Sequence, residues 1–246
     1  MVQPIIWMPY CGPAPGPAEL WAEWNLDPLL IVFLLLAAAV GWRSSRQPGF
    51  QKPPFAIAMT LAFALFVSPF CALTSALFLA RTVHHLALTV VLAPMLAFAW
   101  PARRMAGGVA IWTLLHALTF WAWHAPAAYE AALSSTAAYW LMQASLFTSA
   151  LAMWCAIRSA SVPAAIGSLL ATMVQMGLLG ALLTFTGTAL YAPHYLATTR
   201  WGLTPLEDQQ LAGLTMWAPG AGLYLAAALL LLSRWLPREQ RPALAR

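Results

Sequence analysis

PLLIVFLLLAAAVGW, residues 28–42, is a run of side chains without a single charge. The rest of the chain has the same character: hydrophobic residues make up 62% of its 246 residues and charged residues only 8%, with a mean hydropathy of +0.73. A soluble domain carries roughly 25% charged residues, so this composition cannot build a surface that faces water. The sequence therefore predicts an integral membrane protein.

Apolar stretches long enough to cross a bilayer, which takes about 20 residues, recur along the chain. They predict an all-α membrane bundle of about seven transmembrane helices. Residues 1–246 are expected to form a single membrane domain, with a short irregular leader at residues 1–24. The predicted crossings run from Pro28 to Trp42, Pro54 to Leu73, Arg81 to Trp100, Gly107 to Trp123, Thr136 to Ile157, Pro163 to Thr186 and Pro205 to Ser233.

Lysine and arginine fall almost entirely on one side of these crossings. Ten lie on that side and two on the other, and short cytoplasmic loops retain positive charge. The N-terminus is therefore expected outside the cytoplasm and the C-terminus inside. The cytoplasmic set is Arg43, Arg46, Lys52, Arg103, Arg104, Arg158, Arg234, Arg238, Arg241 and Arg246, and the outer pair is Arg81 and Arg200. Because the basic residues form no clustered face, the net charge of +5 does not indicate nucleic-acid binding.

Four of the five histidines are predicted toward the outer side, and the fifth, His116, near the middle of the fourth crossing. Polar groups at bilayer depth are costly and usually face the bundle interior, which makes them candidates for a functional site. Structural roles are the alternative. His84 and His85 point about 100° apart on a helix, and His116 equally suits a hydrogen bond between helices. His124 and His194 are expected where water and headgroups can solvate them.

Imidazole and thioether side chains both bind copper, and thioethers favour its reduced form. Met142 and Met216 are predicted in the outer parts of the fifth and seventh crossings, so a His/Met copper site is one interpretation. Packing of a flexible apolar side chain is the other. The three cysteines form no CxxC pair, so they indicate neither a thioredoxin-like motif nor a structural zinc site.

Two outer segments carry local signals. The segment Thr204–Asp208, TPLED, predicts a capping box at the start of the seventh crossing, and its aspartate suits the positive end of the helix dipole. The segment His124–Leu133 begins with a proline suited to a first helical turn and is expected to lie on the membrane face. Tyr129 within it is expected to be an interfacial anchor.

Several segments, taken in their order along the chain, carry a resemblance. They are Trp24–Pro28, Ser68-Pro69, Val83–Leu86, Ala93-Pro94, His124–Leu133 and Gly202–Trp217. The last, GLTPLEDQQLAGLTMW, is the most specific. In these segments the chain resembles the CtaG-like cytochrome c oxidase assembly factors, a family of polytopic bacterial membrane proteins. The resemblance spans nearly the whole chain.

The resemblance implies a membrane assembly factor, not an enzyme, that helps a haem–copper cytochrome c oxidase to mature in the bacterial plasma (inner) membrane. It implies copper as the metal, with an oxidase subunit, the lipid bilayer and a soluble copper chaperone as partners. An outer-side site that binds copper transiently then has His85 and His124 as first-choice ligands. His84, His116 and Met142 are lesser candidates.

The chain departs from the family pattern at two places. The third helix of the family often carries two histidines four residues apart, whereas here Arg81 stands four residues before His85. The fifth helix often carries further histidines, where this chain has Tyr139 and Gln143. A metal site of the histidine-rich kind would therefore need His84 or Met142 to take the place of the missing histidines.

Two other function classes remain open from the sequence. A haem-binding electron-transfer protein would use a histidine pair such as His85 with His116. A permease for copper or a small solute would line its path with helices interrupted at Pro69, Pro94 or Pro219. Catalysis is not favoured, because no Ser/His/Asp arrangement, phosphate loop or pair of membrane carboxylates is evident.

Overall fold

The computed structural model describes residues 9–102 and 105–239, and the regular elements in these residues are all helical. The α-helices are α1 Pro28–Ser44, α2 Lys52–Phe66, α3 Phe70–Ala76, α4 Phe78–Leu86, α5 Ala93–Ala99, α6 Gly108–His124, α7 Pro126–Ser134, α8 Thr136–Ser159, α9 Val162–Phe185, α10 Pro205–Thr215 and α11 Ala221–Glu239. Two π-helical turns, Ala87–Leu92 and Met216–Gly220, join α4 to α5 and α10 to α11. Leader residues 1–8 and the predicted cytoplasmic arginines Arg103, Arg104, Arg241 and Arg246 lie outside the described residues.

Helix length and composition identify the segments that can cross a membrane. Four stretches qualify: Phe78–Ala99, Thr136–Ser159, Val162–Phe185 and Pro205–Leu236. The α2 and α3 helices qualify together but are bent by 48° at their junction, which makes five spans if they count as one. The α1 helix is a shorter apolar helix. The all-helical membrane fold is therefore confirmed, while seven crossings and the outward N-terminus stay predictions.

The α1 and α10 helices begin at the caps that the sequence predicts. Asp27 accepts a hydrogen bond from the Leu29 N–H at 2.8 Å, and Pro28 is the first helical residue. At α10, the Thr204 hydroxyl accepts from the Glu207 N–H at 3.2 Å, and the Glu207 carboxylate accepts from the Thr204 N–H at 2.8 Å. These bonds satisfy backbone donors that have no partner within the helix, and they confirm the capping box.

Prolines lie at the interruptions of the helices. The second predicted crossing, Pro54 to Leu73, is interrupted: α2 ends at Phe66, Pro69 lies in the gap, and α3 begins at Phe70. Proline lacks an N–H and disfavours helical conformation in the residue before it, so it separates these helices. Pro94 is the second residue after one π turn and Pro219 lies within the other, and there the chain remains helical. The wider turn accommodates the missing hydrogen bond.

One end of the bundle contains residues 9–25, α3, α7 and the segment 186–204, and it is called the leader end below. A disulfide joins Cys11 of the leader to Cys71 of α3. The Arg200 guanidinium donates a hydrogen bond to the Glu19 carboxylate at 2.8 Å. These contacts fix the leader against the ends of the helices.

The opposite end joins the α1–α2 connection to the ends of α5 and α8. The Gln51 N–H donates to the Ala99 carbonyl at 2.8 Å. The Arg158 guanidinium donates to the carbonyls of Ala97 and Trp100, the latter at 2.8 Å. Arg43, in the last turn of α1, and Arg158, in the last turn of α8, therefore share this end.

Candidate functional site

The α4 helix carries the main polar side chains of the interior, and a residue of another helix fixes where it begins. The buried Asp208 carboxylate of α10 accepts hydrogen bonds from the backbone N–H groups of Phe78, at 2.7 Å, and Leu79, at 3.1 Å. Asp208 therefore caps the N-terminus of α4 as well as lying in the first turn of α10. This contact holds the following turn of α4 at the leader end.

Arg81 and both histidines of α4 point into the protein. The third predicted crossing, Arg81 to Trp100, agrees with the observed span Phe78–Ala99 to within three residues. Arg81 is not a loop residue, however, because its side chain is 0% exposed. Its guanidinium carbon lies 5.4 Å from the centre of the Tyr139 ring. His84 and His85 are also buried. The polar face of α4 is thus part of the core.

The structure brings the two first-choice metal residues together. The ring centres of His85 on α4 and His124 at the end of α6 lie 6.4 Å apart, with the rings nearly perpendicular. His124 Nδ1 lies 2.7 Å from the Phe120 carbonyl oxygen, which can only accept a hydrogen bond. Nδ1 therefore carries the proton, and Nε2 keeps its lone pair for a metal.

The spacing of this pair is slightly too wide for one shared metal ion. Two imidazole nitrogens bound to one metal, each at about 2.0 Å and each about 1 Å from its ring centre, separate the ring centres by at most roughly 6 Å. The observed 6.4 Å exceeds that limit, so the two rings would have to move closer together to share an ion. His85 Nε2 is buried and has no hydrogen-bond partner in the described part of the chain.

His84 lies next to this pair but is packed among aromatic rings. Its ring centre is 5.8 Å from that of His85. Phe66 meets its ring edge-on at 4.9 Å, and Phe70 stacks on it at 6.2 Å. Neither ring nitrogen has a hydrogen-bond partner within residues 9–102 and 105–239. His84 can therefore join a site at His85 only by turning away from this aromatic contact.

The other two lesser candidates lie on neighbouring helices. His116 Nδ1 is 3.0 Å from the Ser149 hydroxyl of α8, and His116 precedes His124 by eight residues of α6, about 12 Å along the axis. The Phe120 ring lies between these histidines, 6.4 Å from the first and 4.4 Å from the second. Met142 is fully buried on α8. Its neighbour Gln143 lies beside the His85 ring.

The described residues contain no complete set of protein ligands for a metal ion. Among the residues that the structure describes, no group of three or more His, Cys, Asp and Glu side chains is arranged to hold a metal ion. Closed structural sites use four protein ligands, whereas sites that exchange a ligand keep a position open. The His85–His124 pair can offer two nitrogens and leaves the remaining positions to other ligands.

Two expectations about the outer segments are wrong. Tyr129 is not an interfacial anchor: it is 1% exposed, and its hydroxyl makes a 2.7 Å hydrogen bond with His194 Nε2. His124 and His194 are buried rather than solvated. Burial and the Arg81 charge lower the pKa of His194 to about 3, so its ring is neutral at pH 7. The α7 helix and segment 186–204 therefore close over the interior.

The disulfide was not predicted from the sequence. Cys11 and Cys71 are 60 residues apart and belong to no motif, so only the fold shows that they meet. The contact between Tyr139 and Gln143 was also missed. It could have been predicted, because residues four positions apart lie on one face of a helix such as α8. The Gln143 amide donates to the Tyr139 hydroxyl at 3.0 Å. These two side chains, noted only as departures from a family pattern, line the same interior as Arg81.

Comparison with known proteins gives one match. The family model described as Cytochrome c oxidase caa3 assembly factor (Caa3_CtaG) matches residues 31–238 of the chain. No curated protein and no solved structure matches it. The matched segment includes all five predicted metal residues and begins after the leader, so Cys11 lies outside it.

Proposed function

The chain belongs to the cytochrome c oxidase caa3 assembly factor family, and from this membership we propose that it delivers copper to the catalytic subunit of a haem–copper oxidase. Membership confirms the resemblance found in the sequence. It implies that the protein interacts with the oxidase and with the membrane. Delivery of copper, rather than scaffolding of the oxidase subunit, is the further step of the proposal.

The observation that carries the proposal is the approach of His85 to His124. Imidazole is a good ligand for copper, and the ring centres are 6.4 Å apart. An ion held by two protein nitrogens remains open to attack by the ligands of a receiving protein. Copper is thus a cargo that leaves by ligand exchange, and the chain needs no closed coordination sphere.

We propose that the leader end faces the outside of a bacterial plasma membrane, which the chain crosses about seven times. Two features support this. The Cys11–Cys71 disulfide lies at that end, and disulfides persist in oxidising compartments. Arg43 and Arg158 lie at the opposite end, where the positive-inside tendency puts the cytoplasm. A soluble copper chaperone outside the membrane would load the site from the leader end.

Copper binding is tested with the purified full-length chain, titrated with Cu(I) in competition with a chromophoric chelator. We expect one bound ion per chain. Replacing either His85 or His124 with alanine should weaken binding by about 100-fold, because half of the protein ligands is lost. His116→Ala is the matched control, since His116 is a buried histidine of the same α6 helix outside the pair. Unchanged affinity in the His85→Ala/His124→Ala double variant would discard the site.

Delivery is tested in cells by deleting the gene and measuring haem and copper in the purified oxidase. We expect copper to be lost while haem and the subunits remain. Complementation by the His85→Ala/His124→Ala chain should leave the oxidase copper-poor, and complementation by His116→Ala should restore it. Loss of the whole oxidase complex in the deletion strain would favour scaffolding. Labelling that found His124 and the C-terminal tail in one compartment would overturn the orientation.

A further inference from the structure

Arg81 is a charged side chain that is buried, in the described part of the chain, without a hydrogen-bond partner. Its side chain is 0% exposed. None of its three side-chain nitrogens has a hydrogen-bond partner within residues 9–102 and 105–239. A guanidinium presents five N–H donors and does not lose its proton in proteins. Unlike a buried lysine or histidine, Arg81 therefore cannot lower the cost of burial by becoming neutral.

The groups around Arg81 supply no negative partner. The guanidinium lies over the Tyr139 ring, with its carbon 5.4 Å from the ring centre. The hydroxyls of Tyr129 and Tyr139 lie near the guanidinium without meeting the geometry of a hydrogen bond. Its charge also acts on three imidazole rings, those of His84, His85 and His194. All of these neighbours are phenols or imidazoles, and none is a carboxylate.

The nearest buried carboxylate is engaged elsewhere. Both oxygens of Asp208 accept backbone N–H groups at the start of α4, and no ion pair between Asp208 and Arg81 is present. Across the part of the chain that the structure describes, the ion pair found is that of Arg200 with Glu19 at the surface. Arg81 also lies near the positive end of the α4 dipole, which disfavours a cation. A buried cation without a partner is strongly destabilising, so a neutralising group is required.

We propose that the leader end binds one small monovalent anion, of the size of chloride, on the Arg81 guanidinium. One positive charge calls for one negative charge, and a water molecule would fill the hydrogen bonds without neutralising the cation. A small anion is required because Arg81, Tyr129 and Tyr139 are each at most 1% exposed. The guanidinium N–H groups donate to the anion, and the two phenol hydroxyls can turn toward it. The anion site lies on the same helix as His85, whose ring also feels the Arg81 charge, but the experiments below need no copper.

Binding is measured on the full-length chain in neutral detergent by the line width of chloride-35 resonance. Chloride is exchanged for gluconate at constant ionic strength, because gluconate is too large for the site. We expect protein-dependent broadening that saturates and that bromide competes away. Arg81→Met keeps the length of the side chain without its charge, and it should abolish this broadening. Arg200→Met is the matched control, since Arg200 is an exposed arginine at the same end.

Thermal unfolding of the unaltered chain provides a second test that needs no variant to fold. A ligand that binds only the folded state raises the midpoint as its concentration rises. We expect a higher midpoint in chloride than in gluconate, and loss of that difference in Arg81→Met but not in Arg200→Met. Equal midpoints and equal line widths of the unaltered chain in the two salts would overturn the proposal. A chloride effect of the same size in both variants would overturn it as well.

Discussion

The α1 and α4 helices differ in which side chains they bury and which they expose. The α1 helix buries three of its 17 residues, and large apolar side chains such as Leu29 and Leu36 are exposed, by 81% and 61%. The α4 helix buries its arginine and both histidines, and exposes Val83. In water both arrangements would be unfavourable, because α1 exposes apolar side chains and α4 buries polar ones. In lipid both arrangements are favourable, because the surroundings solvate apolar groups and cannot solvate polar ones.

The comparison shows what holds each helix in place. Lipid tails are as apolar as leucine, so burial of apolar surface does not draw one membrane helix toward another. Packing and polar contacts do so instead. The α1 helix is bounded by its own cap at Asp27, whereas α4 is fixed by a carboxylate from α10. Substitutions should therefore act very differently in the two regions.

The largest effect is expected where α4 is anchored. Asp208→Ala removes the acceptor of two backbone N–H groups and leaves both donors buried, which should cost about 4 kcal/mol of unfolding free energy. Glu207→Ala, one residue earlier, removes a capping-box bond that is exposed to solvent and should cost clearly less. Unfolding of the purified chain in mixed micelles with increasing dodecyl sulfate measures both. Equal losses would show that α4 does not depend on α10.

The next effect is expected on the exposed face of α1. Leu36→Arg should make membrane insertion of this helix less favourable by about 3 kcal/mol, since the new charge would enter hydrocarbon. Leu36→Ala should change it by less than about 1 kcal/mol. Insertion of the α1 segment into microsomes, scored by glycosylation of flanking acceptor sites, distinguishes them. If arginine were tolerated as well as alanine, Leu36 of α1 would not lie in the hydrocarbon of the membrane.

The sequence predicts those features that depend on neighbouring residues. The start of α1 at Pro28 and the capping box at Thr204 are confirmed because each needs only residues two or three positions away. Helix type and approximate position follow from apolar length. The choice of His85 and His124 as neighbours used family resemblance, and the fold does bring their rings together.

The wrong predictions depended on contacts between distant segments. Tyr129 has the sequence position of an interfacial residue, but segment 186–204 covers it and supplies His194 as its partner. Arg81 has the position of a topology signal, but α4 begins one turn earlier because Asp208 caps it from 130 residues away. Neither Asp208 nor Cys11 carries a local pattern that reveals its partner. Such contacts exist only once the helices have packed.

A smaller effect is expected inside the bundle but away from the histidine pair. His116→Leu removes the hydrogen bond to Ser149 and replaces the imidazole with an apolar side chain. We expect a loss of about 1 kcal/mol or less in unfolding free energy, the usual value of a polar contact between membrane helices. Cu(I) affinity should stay unchanged. A loss of copper binding in this variant would show that the copper site extends along α6 as far as His116.

The smallest effect is expected at the surface of the leader end, where neither lipid nor the core surrounds the side chains. The Gly16 N–H and the Arg200 guanidinium both donate to the Glu19 carboxylate, and they lower the pKa of Glu19 below its ordinary value of 4.5. The unfolded chain therefore binds the proton more readily than the folded one. The contribution of Glu19 to stability is present above pH 4.5 and disappears as the pH falls through its folded pKa.

Glu19→Gln tests this contribution through the thermal midpoint of the purified chain. The unaltered protein should unfold at a slightly higher temperature than the variant at pH 7, and the difference should vanish in acid. It should also shrink at high salt, because the pair is exposed and screened. Glu23→Gln is the control on the same segment, since no ion pair of Glu23 is found within residues 9–102 and 105–239. A midpoint difference that persists below the folded pKa would mean that Glu19 acts through packing rather than charge, and the leader would then resemble α4 more than α1.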